Sequence, residues 1–257
     1  MRILLIASLA DSLVNFRGPL IQALLSHELE VHVAAPDFMQ SEATRQRLHD
    51  WDVIVHDAVM NRTGKNPFAD LRTVWVLWRL MRQIKPDAVL GYTIKPVIFG
   101  SLAAWLAAVP RRYALVTGLG YAFQGERRGM LMLVQRLYAW ALARVHLVFF
   151  QNPDDLALFR NRGILSSGAV ARVVNGSGVD VSYFSPTPLP KDGLCFLLIA
   201  RFLGDKGVRE YVEAARQVKQ RWPDVQFAMV GWIDSNPDSI SQQELDAWVA
   251  EGLVNYW

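Results

Sequence analysis

The chain contains one cysteine in 257 residues, Cys195, so no disulfide can form within it. Its neighbours in LCFLLIA are all apolar, which predicts a buried core thiol rather than a nucleophile, and a reducing cytoplasm as the setting. Long uncharged stretches are missing too: none reaches the roughly 18 apolar residues of a membrane span. The nearest, MLMLVQRLYAWALARVHLVFFQ, is interrupted by Arg136, Arg144 and His146 and reads as a helix followed by a strand. The opening MRILLIASLADS has no small-residue cleavage pattern, so it does not read as a secretory signal. The five histidines (His27, His32, His49, His56 and His146) form no pair at metal-ligand spacing, and no metal site is expected. Neither a GxSxG elbow nor a GxGxxG loop after the first strand is present. Basic residues are dispersed and form no nucleic-acid motif, so no nucleic-acid partner is expected. The net charge of +3 suits phosphates or an anionic membrane surface, and is equally common in proteins that bind neither.

What the chain does have is an alternation of short apolar runs with longer amphipathic ones, the pattern of an α/β protein with a parallel sheet. Strands are expected at Arg2–Ala7, Glu30–Ala34, Asp52–His56, Ala88–Gly91, Tyr113–Val116 and His146–Phe150. Helices are expected near Gly18–His27, Glu42–His49, Asp70–Gln83, Val97–Ala107, Gly129–Arg144 and Pro153–Arg162. Such repetition gives a doubly wound sheet whose crevice lies at the carboxyl ends of the strands. Residues 175–192, rich in Gly, Ser and Pro, then interrupt the rhythm as a linker. It restarts with strand Phe196–Ala200, helix Gly207–Trp222, strand Gln226–Val230, helix Ser241–Ala250 and an apolar stub Leu253–Trp257. The expected organisation is one complete Rossmann-like domain over residues 1–187 and the opening of a second over 193–257.

The most informative local string is LLIARFLGDKGVREYVEAAR. A strand ends at Ala200, Arg201 follows, and Lys206-Gly207 opens an amphipathic helix. Two cations and a helix N-terminus converging on one point would neutralise a diphosphate. Spacing alone equally admits a surface arginine and a helix-capping lysine.

With NFRGPLIQAL, ALVTGLGYAF, GSGVDVSYFSP and FAMVGWIDSNPDSIS in the same order, the string resembles family 4 retaining glycosyltransferases of the GT-B fold. The likeness is to the subgroup of N-acetylgalactosaminyltransferases that build surface polysaccharides and N-linked glycans on polyprenyl diphosphate lipids. That resemblance implies a GT-B-type α/β fold with an N-terminal acceptor domain and a C-terminal nucleotide-sugar domain. It also implies Arg201, Lys206 and Gly207 as the grip on the donor diphosphate, with no metal cofactor. The implied reaction moves a hexosyl or N-acetylhexosaminyl group, with retention, from a nucleotide-sugar (UDP-linked) to a lipid-linked saccharide. Its setting would be the inner face of the plasma membrane. Family members carry a spaced pair of glutamates further into the second domain, beyond the point where this sequence stops. The resemblance therefore implies a C-terminally truncated chain that turns over poorly alone, and it leaves the catalytic residues unassigned.

Acceptor-side candidates come from the loops after the strands. Arg17, with Gly18-Pro19 marking a helix start behind it, could face the crevice or an acceptor phosphate, while Asn15 is expected to cap the first helix. In GYTIKP, where many relatives place a histidine, this chain has Tyr92, Thr93 and Lys95. Lys95 precedes a proline and is expected outside helix, as a phosphate contact or a solvated loop residue. Gly118 and Gly120 permit a close backbone approach beside an acceptor or simply a tight turn. Glu126, Arg127 and Arg128 read as a solvated face rather than a catalytic group. In DLRTVWVLWRLMRQIKP, helical spacing puts Val74, Leu77, Met81 and Ile84 on a core face. Trp75 and Trp78 fall with Arg79, Arg82 and Lys85, a mixture suited either to an anionic lipid interface or to packing on the sheet. Two further functional classes stay open: a GT-B nucleotide-sugar epimerase without an acceptor site, and a non-catalytic membrane- or partner-binding module.

Overall fold

A computed structural model describes residues 1–60, 66–119, 128–189, 193–233 and 238–257. The chain divides into two compact units, Met1–Phe184 and Ser185–Trp257. In chain order the first runs β1 (Arg2–Ile6), α1 (Asp11–Asn15), α2 (Gly18–Ser26), β2 (Glu30–Ala35), α3 (Glu42–Asp50), β3 (Ile54–Asp57), α4 (Pro67–Ile84) and β4 (Ala88–Tyr92). A π-helical turn at Pro96–Gly100 leads into α5 (Ser101–Leu106), β5 (Arg111–Val116), α6 (Arg128–Leu142), β6 (Leu147–Phe150), α7 (Pro153–Asn161) and β7 (Ala171–Val173).

Among the described residues these strands form one parallel sheet of order β3-β2-β1-β4-β5-β6-β7. Every connection is a crossover, and the order reverses direction between β1 and β4, which pair from Ile3↔Ala88 to Ile6↔Gly91. Beta strands with both faces covered read as continuous apolar runs, and β1 (RILLI) is such a strand. Leu5 packs with Leu13, Ile21 and Leu48 from α1, α2 and α3. Its neighbours Leu4 and Ile6 pack on the opposite side with Leu77 and Met81 of α4 and Ala103 of α5. Helices α6 and α7 continue that second layer over β5 and β6 through Tyr138, Ala141 and Phe159. Leu77 and Met81 are buried and Val74 and Ile84 partly so, which is the expected core face of α4.

Caps set several helix starts. Asn66 accepts from the backbone of Phe68 at 3.0 Å ahead of Pro67, and Asn152 accepts from Asp155 at 2.7 Å ahead of Pro153. Asn15 does not cap as expected. It ends the short helix α1, and the position before α2 is held by Arg17 without a side-chain cap.

The second unit runs β8 (Cys195–Arg201), a 3₁₀ turn at Gly204–Lys206, α8 (Val208–Arg221), β9 (Gln226–Trp232), α9 (Gln242–Ala250) and β10 (Asn255–Tyr256). Its described strands form a parallel sheet of order β10-β9-β8. Val208, Val212 and Ala215 of α8 close over Phe227 and Met229 of β9 and Leu245 of α9. The buried thiol expected at position 195 is a correction: Cys195 is exposed. It shares the outward face of edge strand β8 with Leu197 and Ile199, both exposed, while Leu198 packs toward the core. An apolar run alone does not reveal which face of a strand is covered.

Candidate functional site

In an open α/β sheet, ligands bind where the strand order reverses, outside the carboxyl ends of the flanking strands. In the first unit that point lies between β1 and β4. The residues just past these strands meet there: Ser8 Oγ is 2.9 Å from Thr93 Oγ1. Thr93 has φ = 68°, a left-handed backbone that a β-branched residue rarely adopts. Such strain is typically of order 1–3 kcal/mol and concentrates at functional positions. Its carbonyl accepts from Val97 N at 3.0 Å at the head of the π-helical turn. Beside it, the Tyr92 hydroxyl lies 2.9 Å from Ser12 Oγ. Burial pushes the Tyr92 phenol up to about 12, with the Ser12 hydrogen bond and the Arg17 charge opposing.

Arg17 reaches this point and is only 5% exposed. Its guanidinium lies 4.7 Å over the Tyr92 ring. Nη1 donates to Ser177 Oγ at 2.6 Å and to the Phe16 carbonyl at 3.2 Å. Burial holds its pKa below the ordinary value, against the opposing pull of Tyr92. Nε is buried and has no hydrogen-bond partner among the described residues. In this arrangement Arg17 ties the β1 and β4 loops to residue 177 instead of standing open to solvent.

Lys95 corrects an expectation. Its backbone is helical (φ −69°, ψ −45°) although Pro96 follows, because the proline sits in the first turn, where a missing N–H breaks no ladder bond. Its Nζ lies 2.7 Å from Asp70 Oδ1 of α4, both side chains being mostly buried. Gly118, just past β5, has φ = 140°. Gly120, Glu126 and Arg127 lie outside the described residues. The first unit thus brings Arg17 and Thr93 together around Tyr92 and pairs Lys95 with Asp70. Ser8, Ser12, Ser177 and Asp70 were missed by sequence reasoning; a polar residue immediately after β1 was the one usable signal.

In the second unit, Arg201 closes β8 and Lys206 ends the 3₁₀ turn before α8, so both belong to one loop at the carboxyl end of that strand. Lys206 is exposed. Gly207 is the N-cap of α8 with φ = 71°, a conformation that favours glycine. Among the described residues no side chain caps α8, and the N-terminal N–H groups of a helix carry partial positive charge. Beneath the loop, a Cβ at Gly231 would come within 1.8 Å of the Ala200 carbonyl oxygen, so only glycine lets β9 approach β8 there.

The loop is held from the side by DSI of the last motif. Gly204 N donates to the Asp238 carbonyl at 2.8 Å, and Asp205 N to its carboxylate Oδ2 at 3.1 Å. Ser239 Oγ and Ile240 N both donate to the Phe202 carbonyl, at 3.0 and 2.8 Å. Asp238 is therefore a positioning residue that sequence reasoning left unassigned within its motif. Further along, Arg209 of α8 pairs with Glu244 of α9 at 2.8 Å. The Arg209 hydrogen bond, then the Ser241 backbone, holds Glu244 down to about 2. Among the described residues no cluster of three or more His, Cys, Asp or Glu is placed to hold a metal ion.

Comparison with known proteins supplies the remaining findings. Residues 2–152 match the family described as glycosyl transferase 4-like. The whole chain is 30% identical, over 272 aligned positions, to 69% of the N,N'-diacetylbacillosaminyl-diphospho-undecaprenol alpha-1,3-N-acetylgalactosaminyltransferase of Campylobacter jejuni. Over 63% of its length it is 26% identical to 44% of the UDP-Gal:alpha-D-GlcNAc-diphosphoundecaprenol alpha-1,3-galactosyltransferase of Escherichia coli. In three dimensions the whole chain superposes on 70% of the sucrose-phosphate synthase of Thermosynechococcus elongatus, with a TM-score of 0.72 at 14% identity. The likeness in structure shows the fold, which is of GT-B type.

Proposed function

The chain belongs to the glycosyl transferase 4-like family, and from that premise we propose that it takes part in moving a hexosyl or N-acetylhexosaminyl group from a UDP-linked donor to a lipid-linked saccharide. The observation that carries the donor side is the β8–α8 loop, with Arg201, Lys206 and the uncapped first turn of α8 on one short segment. As the bond from the sugar's anomeric carbon to the diphosphate breaks, charge builds on the departing oxygen. Two cations and a helix N-terminus stabilise that charge without a metal. The acceptor hydroxyl oxygen forms the new bond to the anomeric carbon, and its proton passes to the departing diphosphate oxygen. Retention of configuration is the expectation that the family carries.

On the acceptor side, the proposal assigns the first unit and its switch-point cluster of Ser8, Thr93, Tyr92 and Arg17. The relatives from Campylobacter jejuni and Escherichia coli are both named for acceptors on a diphosphate-linked undecaprenol. That supports a polyprenyl-diphosphate sugar as the acceptor class, reached by a protein peripheral to the inner face of the plasma membrane. No described helix is long and apolar enough to cross a membrane.

The test is transfer of radiolabelled sugar from UDP-sugars to polyprenyl-diphosphate saccharides by the full-length protein. Label must move to the lipid, and Arg201→Ala must lower kcat/KM by about two orders of magnitude, the typical loss for one charge-stabilising group. Conversion of the donor to an isomer without any acceptor would instead establish an epimerase.

A further inference from the structure

Helices α4, α5 and α6 lie side by side on one face of the first unit's sheet, with α5 packed against both neighbours. Their solvent side is not the polar surface of ordinary amphipathic helices. On α4 the outward stripe runs Phe68, Leu71, Arg72, Trp75, Arg79 and Arg82, with Phe68 80% and Trp75 53% exposed. The spacing of three or four residues keeps these on one side of the helix. Trp78, which shares their side by sequence spacing, instead packs partly buried toward the core. On α5, Trp105 and Leu106 are exposed, and on α6 Met132, Leu133, Arg136 and Trp140. The three helix sequences contain a single acid, Asp70, which is already paired with Lys95.

The cations and indoles are organised in contact. Arg79 lies 5.6 Å from the Trp75 ring. Arg144, just past α6, lies between two tryptophans, 4.8 Å from Trp105 of α5 and 4.6 Å from Trp140 of α6. It also donates to the Trp140 carbonyl at 2.5 Å. That sandwich links α5 to α6 and presents two indoles side by side.

We propose that the outer face of α4, α5 and α6 docks on an anionic lipid bilayer, with the indoles and Phe68 at the headgroup level and the arginines against lipid phosphates. An interfacial surface combines apolar side chains with arginine and excludes acids, and tryptophan favours the depth where one ring edge is wet. A protein partner of matching charge would be a different proposal. The bilayer is favoured because the arginines are spread over two helices among apolar side chains, and the one acid in the three helix sequences, Asp70, is already paired with Lys95. This rests on the lipid-linked acceptor proposed above, and it names the face that brings the enzyme to that acceptor.

Co-sedimentation of the full chain with vesicles of phosphatidylcholine, alone or mixed with phosphatidylglycerol, tests it. Binding is expected only to the anionic vesicles and must weaken as salt rises. The double variant R79E/R136E, at two exposed positions, is expected to lower partitioning about 25-fold or more, since each arginine near an anionic surface contributes about fivefold. Trp75→Ser must lower it as well while leaving the thermal unfolding midpoint unchanged. Equal binding to neutral vesicles, no binding, or binding indifferent to both variants overturns the proposal. So does a concentration-dependent dimer that R79E/R136E dissociates in the absence of vesicle binding, which would assign the face to a second copy. Transfer to a short-chain, water-soluble acceptor must survive R79E/R136E. If the unaltered full-length protein binds vesicles but transfers nothing, the acceptor reading fails and the docking face stands.

Discussion

Strands β1 and β8 are similar strings, RILLI and CFLLIAR, placed in opposite environments. In β1, Leu4, Leu5 and Ile6 are each fully buried, because the strand is central in its sheet and has helices on both faces. In β8, an edge strand, Cys195, Leu197 and Ile199 face outward, and Ile199 is 71% exposed. The contrast shows that a residue's contribution belongs to its neighbours and not to its hydropathy. It also separates two kinds of candidate site. The first unit surrounds its switch-point residues with a packed core on both sides of the sheet. The second carries Arg201 and Lys206 on a loop whose geometry depends on hydrogen bonds from residues 238–240.

The two strands should differ most in their contribution to stability. Leu5→Ala should destabilise the first unit by about 3 kcal/mol, the usual result of emptying a well-packed core position. Ile199→Ala should stay within about 0.5 kcal/mol, as for exposed positions. Urea unfolding of each variant checks the pair, and similar losses at both sites would mean that β8 is covered in solution. Next in size, Asp238→Ala removes the carboxylate that accepts from Asp205 N. It should weaken UDP binding by about tenfold, the scale of one charge-assisted hydrogen bond. Unchanged affinity in titration calorimetry would show that the loop holds its shape without it.

The smallest effect concerns the edge of the first sheet. His56 Nε2 lies 2.9 Å from His32 Nδ1, and His32 Nε2 lies 3.0 Å from Glu30 Oε1. Burial first, then the His32 charge, holds His56 below its ordinary 6.5. The folded state therefore binds fewer protons than the unfolded one as pH falls through 6.5. The stability linked to His56 is complete above that pH and declines below it. Glu30, lowered chiefly by its hydrogen bond to His32, acts in a separate window below 4.5. Thermal unfolding between pH 7.5 and 5 should show a fall in the midpoint that His56→Gln flattens. An unchanged slope in that variant would remove His56 from the account.

Most of the alternation was legible, because repeated crossover units announce themselves by period. What escaped did so for identifiable reasons. Helix α1 spans five residues, too few to show a helical period, and β7 is a three-residue edge strand containing Arg172. The direction of Cys195 depends on which face of β8 is covered, which its own string does not encode. Lys95 looked non-helical because it precedes a proline, yet Pro96 begins a turn instead of interrupting one. At the loop between β8 and α8, Arg201, Lys206 and Gly207 lie within one short string of the sequence itself. The support from Asp238 lies 33 residues beyond Asp205 and became visible only when the strands were paired.

The proposed role of Arg201 and Lys206 is to grip a diphosphate. Calorimetric titration of the protein with UDP and with uridine measures it most directly. Tight binding of UDP over uridine, lost by tenfold or more in both Arg201→Ala and Lys206→Ala, is the predicted result, since each charged contact to phosphate contributes about 1.5–3 kcal/mol. Equal affinity for the two ligands, or UDP binding indifferent to both substitutions, would contradict it.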